Sequence, residues 1–332
     1  MIRRGFLRAI AVTSALAALP ANEAEALGDA QQRCAPGDFA EMNEHLWRIY
    51  RLARSKNSIY PLVQEQLASL ATALRNRPGT ELRSLWRVAG DLFQLAGELG
   101  FDNGRYADAA ASYTLAASAS EEAEEFDLWA CALVRHAYVD MSAGHYGGAE
   151  DILSVAEKVA ARGDSQLPTR QWIAAVRAEA HAGLGNATAC ERSLAEAEEV
   201  VALGTSRPGN GWLRFDGSRL AEERGARLLQ LGRLDRAEAA LTEALHSLPR
   251  ESSYRRRVAV LADLAAVGAM RRDPDQVTAF GHQALRLARE SSSGYAARRL
   301  QGLRDRLSPF TGSARVAELG AEISRLNAAQ GK

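Results

Sequence analysis

Lysine is almost missing from this 332-residue chain: three of its 41 basic residues are Lys56, Lys158 and Lys332, and the rest are arginine. Those 41 cations are matched by 41 Asp and Glu, so there is no net charge. A neutral chain lacks the general electrostatic pull toward nucleic acid or acidic membrane that a strongly basic one has. Cysteine is equally sparse. Cys34, Cys131 and Cys190 are scattered, with no CxxC pair, which excludes both a disulfide framework and a cysteine zinc site. Aromatics make up only 6%, and Ile and Thr are few. Strands draw on β-branched and aromatic residues, whereas the Ala and Leu that dominate here are strong helix formers. At 47% hydrophobic the chain can bury a core. Its composition predicts an all-α fold.

No stretch is long and apolar enough to span a bilayer as a helix. The first residues nevertheless have a pattern of their own. Arg3-Arg4-Gly5-Phe6-Leu7-Arg8 is a twin-arginine motif, followed by a modestly apolar run from Ala9 to Leu19 and a small-x-small site at Ala24-Glu25-Ala26. Residues 1–26 therefore read either as a twin-arginine (Tat) export signal or as a lead-in segment of a cytoplasmic protein. The cytoplasmic reading is favoured.

The remainder, 27–332, repeats. A turn glycine is followed by a helix in Gly104-Arg-Tyr106-Ala-Asp-Ala109, Gly144-His-Tyr146-Gly-Gly-Ala149, Gly185-Asn-Ala187-Thr-Ala-Cys190 and Gly232-Arg-Leu234-Asp-Arg-Ala237. Arg272-Asp-Pro274-Asp-Gln-Val277 is a decayed fifth copy. The turns are spaced by 40, 41, 47 and 40 residues. Each is preceded by a helical stretch: Leu92–Gly100, Leu128–Met141, Trp172–Gly183, Leu220–Leu231 and Val258–Met270. Each copy is thus a helical hairpin. Small residues such as Ala109 and Ala149, with Ala116 and Ala156 seven positions later, let the second helix lie close against the first.

Phe39–Arg54 and Ile59–Leu74 read as a degenerate first hairpin, with Phe39, Met42, Leu46 and Ile49 as the apolar stripe of its first helix. Tyr295–Leu307 and Val316–Leu326 read as closing helices. Val316, Leu319, Ile323 and Leu326 form the narrow stripe of a terminal cap. Pro168 and the Gly204–Gly211 stretch mark inter-repeat loops.

The Gly-x-Tyr-x-x-Ala…Tyr-x-x-Ala signature of the first copy resembles the tetratricopeptide repeat, although the period exceeds that family's usual 34 residues. The predicted fold is a tetratricopeptide-like helical-hairpin solenoid. A narrower resemblance rests on Leu46-Trp47-Arg48-Ile49-Tyr50, Arg177-Ala178-Glu179-Ala180-His181-Ala182 and Trp212-Leu213-Arg214-Phe215-Asp216. It extends to the run from Arg255 to Leu264 and to Leu303-Arg304-Asp305-Arg306-Leu307. These pieces are similar to the C-terminal repeat region of actinobacterial Xre-type (Cro/cI-like) helix-turn-helix regulators. The resemblance implies a module that senses a peptide or small ligand. The residues of the DNA-binding domain have no counterpart here, so specific DNA binding by this chain alone is not expected.

Catalytic chemistry finds no foothold. No Gly-Lys-Ser/Thr phosphate loop is present. Gly209-Asn-Gly211 lacks the third glycine and the preceding strand of a dinucleotide site. His45, His136, His145, His181, His246 and His282 occupy unrelated repeat positions. Gly163-Asp-Ser165 joins two helices, with no sheet to build an oxyanion hole. Cys131 and Cys190 fall inside helices, the ordinary place for a small buried thiol. No enzyme, cofactor or metal site is expected.

Charge is uneven despite the balance. Residues 121–157 hold nine acids against Arg135 alone, and residues 250–306 hold twelve arginines against six acids. One reading is solvated helix faces. The other is a bipolar array whose basic end meets an acidic partner or a second copy, so a homodimer is possible. In a repeat array the first helices line the inner face. A common register places Gln94, Glu98, Arg135, Tyr138, Trp172, Glu179, Arg219, Glu222 and Glu223 there as ligand-groove candidates for an extended peptide or protein ligand.

Overall fold

The computed structural model describes residues 35–330 apart from 54, 204–210, 214, 216, 218, 249–253, 292–293 and 311. The twin-arginine segment, Cys34 and most of the Gly204–Gly211 loop lie outside the described residues. Those that are described form fourteen α-helices and short 3-10 turns, with no strand among them. The fold is all-α and built from helical hairpins.

The described residues divide into two compact units. The first draws on the described residues within Met1–Phe101, Arg105–Arg170 and Thr205–Arg214. It contains α1 (Pro36–Leu52), α2 (Tyr60–Asn76), α3 (Gly79–Asp102), α4 (Tyr106–Glu122), α5 (Phe126–Ser142) and α6 (Tyr146–Ala160). The second draws on the described residues within Asp102–Gly104, Gln171–Gly204 and Phe215–Lys332. It contains α7 (Thr169–Gly183), α8 (Ala187–Glu198), α9 (Leu220–Gln230), α10 (Leu234–Ser247), α11 (Tyr254–Arg271), α12 (Pro274–Ser291), α13 (Gly294–Asp305) and α14 (Ala314–Gln330).

The repeat register is written in the backbone of the turns. Gly104, Gly144, Gly185 and Gly232 all take positive φ, between 72° and 77°. In each turn the next N–H reaches back to the carbonyl five residues earlier: Arg105 to Gly100 (2.9 Å), His145 to Asp140 (2.9 Å), Asn186 to His181 (2.9 Å) and Arg233 to Leu228 (2.8 Å). This is the left-handed helix cap that glycine accommodates without a Cβ penalty. The decayed copy keeps it. Arg272 stands at φ 59° and Asp273 N–H donates to Gly268 at 2.9 Å. A sixth such turn joins α4 to α5, where Glu124 has φ 54° and Glu125 N–H donates to Ser120 at 3.0 Å.

Small residues hold the two helices of a hairpin together. Seven positions before the turn stand Gly97, Ala137, Ala178, Gly225 and Ala265, and each alanine of that set is fully buried. A Cβ on Gly97 would overlap the Tyr113 ring, and one on Gly225 would overlap Leu241. Tyr113 and Leu241 both stand nine positions past their turns, so one packing contact recurs in the two units. Ala109, Ala149 and Ala237 are fully buried on the second helices, as the register requires.

The first hairpin departs from expectation in its facing. Met42 is 47% exposed and Ile49 is 44% exposed, while Phe39, Asn43, Leu46, Trp47 and Tyr50 are buried. The buried stripe of α1 is rotated because Trp47 and Tyr50 supply more area and find partners for their polar tips. Lys56 ends the helix by donating to the carbonyls of Tyr50 and Ala53. The helix before the first turn is longer than the stretch from Leu92 to Gly100, since α3 begins at Gly79. At the other end Val316, Leu319 and Ile323 of α14 are buried against α12 and α13, and Leu326 packs half-buried on the same cluster.

Candidate functional site

The buried polar networks lie between the first helices of the hairpins. In the first unit they converge on Arg135 of α5, which is 1% exposed. Its Nε donates to Glu98 Oε1 at 3.1 Å and its Nη1 to Gln94 Oε1 at 2.5 Å. Its Nη2 donates to the carbonyl of Trp212 at 2.6 Å. The guanidinium also lies 5.6 Å from the centre of the Trp47 ring. Gln94, itself fully buried, donates onward to the Leu128 carbonyl at 3.0 Å, and Tyr50 Oη donates to Glu98 Oε2 at 3.2 Å. Guanidinium donors in a fixed fork suit such multi-acceptor sites. The hub ties α1, α3 and α5 together.

Asp91 extends the network. Trp47 Nε1 donates to its Oδ1 at 2.6 Å and Asn43 Nδ2 to its Oδ2 at 3.0 Å. Burial still pushes its carboxyl up to about 6, against the lowering effect of those two donors and of Arg135 and Arg87. A carboxyl whose folded pKa lies above its unfolded value favours folding when protonated. That contribution is full below about pH 4 and is lost as pH rises through 6. Relative to Asp91→Asn, the wild-type chain is therefore expected to lose stability between pH 4.5 and 7.5. Urea titration of both proteins across that range checks it, and parallel profiles would contradict it.

In the second unit the same kind of contact links each first helix to the next. Arg227 of α9 meets Glu179 of α7 at 2.5 Å. Arg256 of α11 pairs with Glu222 of α9. Arg299 of α13 pairs with Asp263 of α11, its Nη2 standing 2.5 Å from Oδ1. These groups are half-buried or better, and the Arg299 guanidinium is held above its usual range chiefly by Asp263. Glu223 is raised by burial, partly offset by Arg227.

The nine groove candidates thus fall into two sets. Gln94, Glu98 and Arg135 touch one another in the first unit, and Tyr138 stands half-buried on α5, one turn beyond Arg135. Gln94 and Arg135 are interior groups of the stack. In the second unit Glu179 and Glu223 both act on Arg227, and Glu222 holds Arg256. Trp172 is half-buried against Ala174, Ala175, Ala197, Val200 and Phe215. Arg219 is the half-buried N-cap residue of α9.

Asn43, Trp47, Tyr50, Asp91, Arg227, Arg256, Asp263 and Arg299 are additions. Only Arg256, Asp263 and Arg299 among them had a signal, an acid on one first helix and an arginine 34 to 37 residues later, as in Glu98–Arg135, Glu222–Arg256 and Asp263–Arg299.

Much of the basic excess of residues 250–306 is met by acids within the second unit: Arg256 by Glu222, Arg271 by Asp235 and Glu238, Arg289 by Glu322 and Arg299 by Asp263. Gly163-Asp-Ser165 is a turn held by Asp127, whose Oδ2 accepts from Asp164 N–H at 2.7 Å. Cys131 and Cys190 are buried, and burial pushes the Cys131 thiol up to about 12 and raises that of Cys190. Thiols so held stay protonated near neutral pH and are poor nucleophiles. Among the described residues, no helix is long and apolar enough to cross a membrane. No protein-family model matches the chain, and no curated protein is significantly similar to it.

Proposed function

We propose that this protein is a non-enzymatic module that binds a peptide or protein through the first helices of its hairpins, like the sensing half of a transcriptional regulator. One observation carries the reading. The half-buried ion pairs Glu179–Arg227, Glu222–Arg256 and Asp263–Arg299 all join one first helix to the next, whereas pairs between second helices such as Arg236–Glu191 are exposed. Trp172, Arg219, Glu179, Glu222 and Glu223 form the face offered to the ligand in the second unit. An amphipathic ring with charged neighbours suits an extended peptide, the ring supplying area and the charges fixing direction.

Selection of a random dodecapeptide library on the full chain tests this. Enriched peptides should bind Trp172→Ala at least tenfold more weakly than wild type, with circular dichroism showing that the helices are kept. No enrichment, or enrichment indifferent to Trp172 and Arg219, would set the reading aside. The favoured compartment is the cytoplasm. The Arg3-Arg4-Gly5-Phe6-Leu7 motif favours a second reading, a Tat-exported scaffold of the cell envelope. Arginine-dependent export of a reporter fused to residues 1–26 would decide for it.

Sequence-specific DNA binding is not expected. Duplex readout needs a helix or ribbon whose side chains reach base edges in the major groove. In Arg255-Arg256-Arg257 the second residue is engaged by Glu222, and the third donates to the Leu248 carbonyl at 3.2 Å. A gel-shift titration of residues 27–332 at about 150 mM salt should show at most weak binding that fades steeply with added salt. Retention of one sequence over a random pool would contradict this.

A further inference from the structure

The Arg135 network of the first unit is already covered, and the cover is the chain itself. Gly211, Trp212 and Leu213 belong to that unit although α7 and α8 intervene in sequence. The Trp212 carbonyl accepts from Arg135 Nη2 at 2.6 Å. Its ring packs, half-buried, on the core cluster that contains Trp47, Leu92 and Phe93, and Leu213 is buried. Gly211 lies so close to Trp47 that a Cβ would overlap the indole. Three short-range requirements therefore converge on one short stretch: a backbone carbonyl for the guanidinium, a residue without a side chain over the indole, and an aromatic ring next to it.

These are elements by which a protein surface reads a peptide, a main-chain hydrogen bond for affinity and side-chain positions for specificity, here met by a turn at Gly211 and Trp212. Arg135 can satisfy the carbonyl of any segment laid there, because the contact is to backbone. The glycine requirement is the selective one, since the Trp47 ring is held by Asp91 and cannot withdraw without breaking that hydrogen bond at 2.6 Å.

We propose that this seat on α1, α3 and α5 is a receptor for a Gly-Trp-Leu turn segment of a partner protein, and that the chain's own Gly211–Leu213 occupies it as a resident competitor. The seat is in the first unit and uses none of the second-unit face. It can fail while the broader peptide-binding reading stands, and the reverse.

A tethered segment competes at an effective concentration in the millimolar range. The wild-type chain should therefore resist a free peptide that a released chain admits. The probe is the blocked pentapeptide Asn-Gly-Trp-Leu-Arg, labelled for fluorescence anisotropy, with Asn-Ala-Trp-Leu-Arg as its control. Gly211→Ala unseats the resident segment by overlap with Trp47. Trp212→Ala is a second route to the same end that leaves the glycine in place. Circular dichroism and melting of both variants establish that the helices persist.

At least one folded variant should bind the glycine peptide tenfold or more tightly than wild type does, and should bind the alanine peptide no better than wild type. Two results would overturn the proposal. One is folded variants that bind the glycine peptide no better than wild type. The other is equal binding of the two peptides, which would remove the glycine requirement.

Discussion

Arg135→Met is expected to destabilise the first unit by about 3–5 kcal/mol, because it removes the cation from a buried network and leaves its acceptors behind. Methionine keeps most of the volume, so the loss reports the polar contacts and not a cavity. Gln94 Oε1, Glu98 Oε1 and the Trp212 carbonyl each lose a donor within 3.1 Å. An unsatisfied buried polar atom costs about 1–3 kcal/mol on its own. The natural comparison is Arg105→Met, which breaks an exposed pair with Asp108 at 3.4 Å and should cost no more than about 1 kcal/mol. Urea denaturation followed by fluorescence and circular dichroism measures both. Equal midpoints for the two variants would mean that the Arg135 network contributes nothing beyond surface charge.

The second large effect concerns glycine. Gly97→Ala drives a Cβ into the Tyr113 ring in the interior of the α3–α4 hairpin, and overpacking of this kind costs about 1–3 kcal/mol. Gly302→Ala is the same chemical change on α13, where nothing lies within 4 Å of the new carbon. There the only consequence is replacement of glycine by a better helix former, worth about 0.5–1 kcal/mol in the stabilising direction. The two substitutions should move the melting temperature in opposite directions. A common sign would show that Gly97 is not the contact point of its hairpin.

The sequence carried the hairpins plainly because their turns need a glycine. Positive φ falls at Gly104, Gly144, Gly185 and Gly232, and at the degenerate Arg272, all at the positions from which the repeat was aligned. The α4–α5 turn was hidden because Glu124 fills the same left-handed site. The stripe of α1 was misplaced for a different reason. Hydropathy favours Met42 and Ile49, but the helix buries Trp47, Tyr50 and Asn43, whose polar atoms reach Asp91, Glu98 and the Val88 carbonyl.

The candidate site was legible in kind but not in detail. A common register put Gln94, Glu98 and Arg135 on first helices, and they do share one face. That the face is closed over by Gly211–Leu213 depends on a contact 77 residues away in sequence, from Arg135 to Trp212, which no local pattern encodes. The pairing of Glu222 with Arg256 and of Asp263 with Arg299 had a faint signature, an acid and an arginine about one hairpin apart. It was lost among the many charges of an Arg-rich chain.

The central claim is that ligand is read by the first helices of the hairpins. Hydrogen–deuterium exchange of the full chain, with and without a saturating library-selected peptide, addresses it directly. The predicted result is added protection in α7 and α9, around Trp172, Glu179 and Glu222, with α8 and α10 unchanged. Protection confined to the second helices, or none anywhere at saturation, would contradict it.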